Sequence, residues 1–169
     1  MMKELDMIEL KRIHKAHHIP AGGYVCRIEE VEYDTELEEL FFTFDICEGE
    51  YRGFFIDTVY SFDYYDSVRL RNYFTVSCNE NDLLNFIDFV IAVEQSNPGF
   101  TFDGVHETNF QYKEIGLILR EEEYIENDKI RTTLNVVDFT NVENIHSGNY
   151  HTYGIKCLNE CTGICQKSN

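Results

Sequence analysis

Basic residues are scarce in this chain: 14 Lys and Arg stand against 31 Asp and Glu in 169 residues, a formal charge of −17. Such a field repels phosphate backbones and steers basic partners toward the protein. Trp is absent and Pro occurs twice. No stretch approaches the roughly 18 apolar residues that a spanning helix needs. Met1 to Lys15 carries charges throughout and has no apolar run of the kind a secretory signal contains. A soluble, cytoplasmic protein is expected, in which the six Cys stay reduced and serve as buried thiols or metal ligands rather than disulfides. Catalytic signatures are missing too: there is no Gly-rich phosphate loop, nucleophile elbow or H-E-x-x-H. Carboxylate pairs such as Asp57 with Asp63, or Glu121 with Glu123, lack a neighbour that would split their pKa values. No enzyme is expected.

What the chain has in quantity is aromatic residues, with 13 Phe and 11 Tyr, and 169 residues suffice for one domain with a real core. Leu5, Ile8 and Ile13 mark a short amphipathic N-terminal helix within residues 4–18, which must stop before Ile19-Pro20. Tyr24, Cys26 and Ile28 alternate with Arg27 and Glu29 in a first strand. Leu40, Phe42, Phe44 and Ile46 form a second, and Phe54, Ile56, Thr58 and Tyr60 a third. Residues 61–77 are aromatic without a period. Asn79 is placed as a helix cap, with Leu83, Leu84, Phe86, Ile87, Val90, Ile91 and Glu94 on the buried face and Asn97-Pro98-Gly99 as the stop. Ile115, Leu117 and Leu119 open a fourth strand, the loop from Glu126 to Lys129 turns the chain, and Ile130, Thr132, Leu134 and Val136 form a fifth. The fold class is therefore mainly β (α+β). Three strands, a helix and two strands is the order of the five-stranded OB barrel, over residues 20–146, with a C-terminal tail over 147–169; a plain α+β sandwich has the same order.

Residues 29–50 hold ten carboxylates and no Lys or Arg. In an OB barrel the ligand face lies on the second and third strands, between the first and last hairpin loops. Both loops are acidic here: Asp34, Glu36, Glu38 and Glu39 sit at one, and Glu126 and Asp128, with Glu121, Glu122 and Glu123 behind them, at the other. The expectation is that they form the two rims of one negative groove able to imitate a phosphate backbone. Acidic runs also serve solubility alone.

The stretches "IPAGGYVCRIEEVEY", "FTFDICEGEYRGFF", "AVEQSNPGFTFDG" and "REEEYIENDKIRTTLNVVDFTNVENIHSGNY", spanning residues 19–150, resemble a tailed-phage family of small OB-like proteins of the single-stranded-DNA-binding type. The resemblance implies an OB fold, phage origin and the cytoplasm of a bacterial host. The acidity is also similar to that of phage anti-CRISPR inhibitors. Two functions follow as expectations. The first is a non-enzymatic inhibitor that binds a basic host protein, such as a CRISPR effector nuclease whose channels are strongly positive, and blocks nucleic-acid loading. The alternative is single-stranded DNA binding by Arg52, Tyr65, Arg69, Arg71 and Tyr73, combining charge with aromatic stacking. Finally, Cys157, Cys161 and Cys165 have the spacing of zinc ligands, with His14, His18 or the nearby His151 available as a fourth; a frayed tail with incidental thiols is the plainer account.

Overall fold

The computed structural model describes residues 19–55 and 72–158. The expected N-terminal helix, and the part of the expected third strand from Ile56 to Tyr60, lie outside the described residues. Five strands form one antiparallel sheet: β1 (Gly22–Asp34), β2 (Glu39–Ile46), β3 (Tyr73–Ser77), β4 (Glu114–Glu126) and β5 (Lys129–Thr140), in the order β3-β2-β1-β4-β5. Helix α1 (Leu83–Ser96) joins β3 to β4, a 3-10 turn (Glu107–Phe110) precedes β4, and α2 (Val142–Ser147) follows β5. Among the described residues, no helix is long and apolar enough to cross a membrane.

The long first strand decides the shape. Gly22 to Arg27 pair with β4, from Leu119 back to Glu114, while Cys26 to Asp34 pair with β2, from Ile46 back to Glu39. Cys26 and Arg27 pair with both strands at once. Between Ile28 and Glu30 the register with β2 shifts, a bulge of the kind that bends a strand and sharpens its twist. The sheet thus changes partners along one strand and coils about the core.

That core is aromatic because alternation drives Phe42 and Phe44 inward from β2 and Phe74 and Val76 inward from β3. Phe42 is fully buried, with ring centroids 5.0 Å from Phe74, 5.0 Å from Phe89 and 5.8 Å from Phe110. It thereby joins the sheet to α1 and to the 3-10 turn. Asp45 is the one buried carboxylate of the sheet. Its Oδ1 accepts from the amides of Ile46, at 2.8 Å, and Phe55, at 2.9 Å.

The expected third strand is corrected here. Phe54 and Phe55 have helical backbone, Phe55 burying its ring beside Phe44 and Phe54 packing on Phe55, and the strand beside β2 in the sheet is Tyr73–Ser77. Two adjacent buried aromatics satisfy a strand pattern and a helical turn equally well. The helix is corrected too. Asn79 caps the turn before it, its Oδ1 accepting from the amides of Asn81 and Asp82, and Asp82 is the residue at the N-cap. The buried side carries Phe89, Ala92 and Val93, with Phe86 and Val90 partly covered, whereas Leu83, Leu84, Ile87 and Ile91 are exposed. With only Asn85 and Asp88 polar between positions 83 and 93, the pattern is apolar on two faces and does not choose between them. The stop is as expected. Asn97 Nδ2 donates to the carbonyls of Val93 and Glu114, and its Oδ1 accepts from the Glu114 amide, which fastens the end of α1 to the start of β4.

The tail from Gly148 to Leu158 lies along the sheet. Asn141 caps α2 through the Asn144 amide, and Gly148, at φ 73°, ends it in the left-handed conformation. Ile145 of α2 and Tyr150 lie over Gly23 and Gly116, where an added Cβ would come within 2.5–2.8 Å of their side chains. Tyr153 donates to Asp138, and Lys156 pairs in parallel with Glu122, its backbone bonded to Glu121 and Glu123. His146 reaches Glu48 at 2.6 Å, tying α2 to the loop after β2.

Replacing Phe42 with Ala is expected to cost about 3–5 kcal/mol of stability in urea denaturation, whereas Phe41→Ala, one residue away on the opposite face, is expected to cost only about 1 kcal/mol, the loss of its stacking on Tyr73. The His146 imidazole is held above its ordinary value chiefly by its hydrogen bond to Glu48. Stabilisation from a raised His pKa is complete below the unfolded value of about 6.5 and fades as pH rises through the folded one. Glu48→Gln should therefore lower the His146 midpoint in an NMR titration and flatten the fall of stability that begins at about pH 6.5.

Candidate functional site

The outward face of β1, β2 and β3 is assembled by register. Glu32 lies beside Phe41 and then Thr75; Glu30 lies beside Thr43 and then Tyr73; Asp34 lies beside Glu39 and then Ser77. Phe41 and Tyr73, diagonal neighbours, stack with centroids 5.2 Å apart and remain 37% and 42% exposed. A hollow of about 340 Å³ is lined by Glu30, Val31, Glu32, Phe41, Thr43 and Gln111. Gln111 is held in its wall by a 3.0 Å bond from Nε2 to the Glu29 carbonyl. The only Lys or Arg in these three strands is Arg27. It lies beyond Glu30, and its guanidinium is engaged by Glu29 at 2.8 Å.

The loop between β1 and β2 forms one end of this face. Asp34 Oδ1 accepts from the amides of Glu36, at 2.8 Å, and Leu37, at 3.0 Å, which folds the loop back on itself. Glu38 has φ 53°, and its carbonyl accepts from Cys78 at the end of β3. Asp34, Glu36 and Glu38 are exposed and Glu39 is half-buried. A patch made of Glu30, Glu32, Asp34, Glu36, Glu38 and Glu39 around two exposed rings suits a cationic side chain, which gains from both carboxylates and ring faces.

The second acidic group is placed differently. Leu119 is the last β4 residue paired with β1, opposite Gly22, so β4 runs on from there away from Asp34. The two acidic groups therefore leave β1 at opposite ends. Glu121, Glu122 and Glu123 lie within β4, not in a loop. Glu122 binds Arg120 and Asn135, each at 2.5 Å, Glu123 Oε2 accepts from the Leu158 amide, and Glu126 meets Arg131 at 3.1 Å. Asp128 is exposed in the turn. Burial acts to raise the Glu122 carboxyl, but hydrogen bonds from Arg120 and Asn135 outweigh it and hold the group below its ordinary value.

Of the residues expected for single-stranded DNA, Arg52 is exposed in the turn after β2 and Tyr73 stacks on Phe41; Tyr65, Arg69 and Arg71 lie outside the described residues. Of the expected zinc ligands, Cys157 is half-buried, and Cys161, Cys165, His14 and His18 lie outside them. Among the described residues, no three His, Cys, Asp or Glu side chains come together as a metal site. Cys26 is a core thiol pushed up by burial, and burial also pushes Cys47 up to about 11. The hollow was missed because Glu30 and Glu32 have the parity of the buried Cys26 and Ile28, and only the register shift between Ile28 and Glu30 turns them outward beside Phe41. No protein-family model matches this chain, and no curated protein is significantly similar to it.

Replacing Arg120 with Met removes one of the two bonds that hold Glu122 ionised. A depressed carboxyl contributes stability that is present above its unfolded pKa and lost as pH falls through the folded one. The variant is accordingly expected to unfold at higher pH than the parent in an acid titration followed by circular dichroism.

Proposed function

We propose that this protein is a non-enzymatic, acidic phage product. It acts in the host cytoplasm, binding a basic surface on a nucleic-acid-handling protein and keeping nucleic acid from loading. A CRISPR effector nuclease is the first partner to test. The observation that carries the proposal is the outward face of β1, β2 and β3, where Glu30, Glu32, Asp34 and Glu39 surround the Phe41–Tyr73 pair without a free base among the described residues. On this reading the fold is a half-open OB barrel. The strand order and the position of α1 favour it, and β3 and β5 flank a cleft of about 380 Å³ where full closure would pair them. The face an OB barrel uses for oligonucleotides would then be negative, and a carboxylate-lined surface attracts what phosphate attracts. The acids between β1 and β2, rather than Glu121 to Glu123, are taken as the main contact.

The stacked pair also suits a nucleobase, whose stacking is worth about 1–3 kcal/mol, and this keeps single-stranded DNA binding as a second reading. A labelled oligonucleotide titrated at about 50 mM and about 200 mM salt separates the two. The inhibitor predicts no binding at either, and salt-sensitive binding would favour the alternative. In a DNA-loading assay with a panel of guide-loaded Cas9-type nucleases, the parent is expected to compete with DNA for at least one. Glu30→Gln with Glu32→Gln should weaken that competition roughly tenfold, equivalent to about 1.4 kcal/mol. Competition with none of the panel would defeat the nuclease proposal. Zinc on the C-x3-C-x3-C run remains part of the proposal, and fewer than about one equivalent per chain in metal analysis of protein purified without chelator would remove it.

A further inference from the structure

Beyond Leu119 the β4–β5 ladder continues without a break from Arg120 opposite Asn135 to Glu126 opposite Lys129, past the last residue of β4 that pairs with β1. Asn127 and Asp128, at φ 50° and 58°, close it in a two-residue turn whose twist matches the strands. The hairpin has two unlike faces. One carries Arg120, Glu122, Glu126 and Arg131, joined in ion pairs. The other carries, in successive cross-strand pairs, Glu121 with Leu134, Glu123 with Thr132, and Ile125 with Ile130. Leu134 packs against the core, but Ile125 and Ile130 are 64% and 65% exposed. The core-facing side of the hairpin thus extends past the sheet and ends in two adjacent, solvent-facing isoleucines. Single exposed apolar residues are ordinary, whereas a cross-strand pair at the tip of a projecting element makes one contiguous apolar surface of the kind that marks contact sites.

We propose that this tip is a contact surface in which Ile125 and Ile130 enter an apolar pocket of the partner, and that the pocket is rimmed by Lys or Arg. On the face that carries the pair the charged groups are Glu121 and Glu123, with Asp128 in the turn, whereas Lys129 and Arg131 fall on the other face, opposite Glu126 and Tyr124; a pocket ringed by acids would be repelled. The inference rests on the proposed binding to a basic protein and adds to it a second contact, at the opposite end of β1 from the acidic hollow.

The test is calorimetric binding of guide-loaded Cas9-type nucleases from the same panel to the parent, to Ile125→Ser with Ile130→Ser, and to Ile125→Lys alone. Unchanged circular dichroism and thermal midpoint verify folding of each variant. The expected result is a loss of roughly tenfold or more in affinity for both variants, with an unchanged dependence on salt for the double Ser variant, because the contact it loses is apolar. Full affinity in both variants would overturn the inference while leaving the proposed function standing. Absence of binding by the parent itself would overturn both. Sedimentation that finds the parent dimeric and the double variant monomeric would also overturn it, by assigning the pair to self-association.

Discussion

A strand that pairs on one side for its first half and on the other side for its second half cannot stay flat, and β1 is such a strand. The bulge after Ile28 accommodates the bend, Cys26 and Arg27 hold the crossing point, and the sheet coils until the rings of β2 and β3 meet α1. The outward acidic face follows from the same constraint. Alternation that sends Phe42 inward must send Phe41 outward, and the register then lays Glu30 and Glu32 beside the exposed rings. Core and candidate surface are two sides of one pattern.

The acids of β1 and of the β1–β2 loop crowd next to the apolar run Leu40-Phe41-Phe42 because the sheet keeps them on the face opposite Leu40 and Phe42. Leu40 and Phe42 point into the core, so they are separated from the carboxylates by the thickness of the backbone. Repulsion among the acids is moderated where each meets a donor or water: Asp34 takes two amides and Glu29 takes Arg27. At physiological salt, charges farther apart than about 8 Å scarcely sense one another. A cationic ligand would relieve the rest.

Strands with clean alternation were legible in the sequence. The positions assigned to the first, second, fourth and fifth strands lie in β1, β2, β4 and β5, and the Asn127-Asp128 turn was legible from residue type alone. Illegibility began where a pattern fits two structures. Phe54-Phe55 reads as strand or helical turn, and the sequence from Leu83 to Val93 is apolar on two faces, so its buried side is set by which rings the sheet presents. The hollow was illegible for another reason: Glu30 and Phe41 become neighbours only through register and bulge. The placement of Glu122 against Arg120 and Asn135 likewise depends on a ladder that spacing does not reveal.

The residues around Lys156 have a role beyond packing. Past Gly22, β4 has no β1 beside it, and its amides and carbonyls there would form a bare border able to recruit strands from other molecules. Lys156 bonds to Glu121 and Glu123 on that border, so the segment around it works as a selvedge. It shields the projecting hairpin from runaway stacking and, among the described residues, leaves Ile125 and Ile130 at the tip exposed.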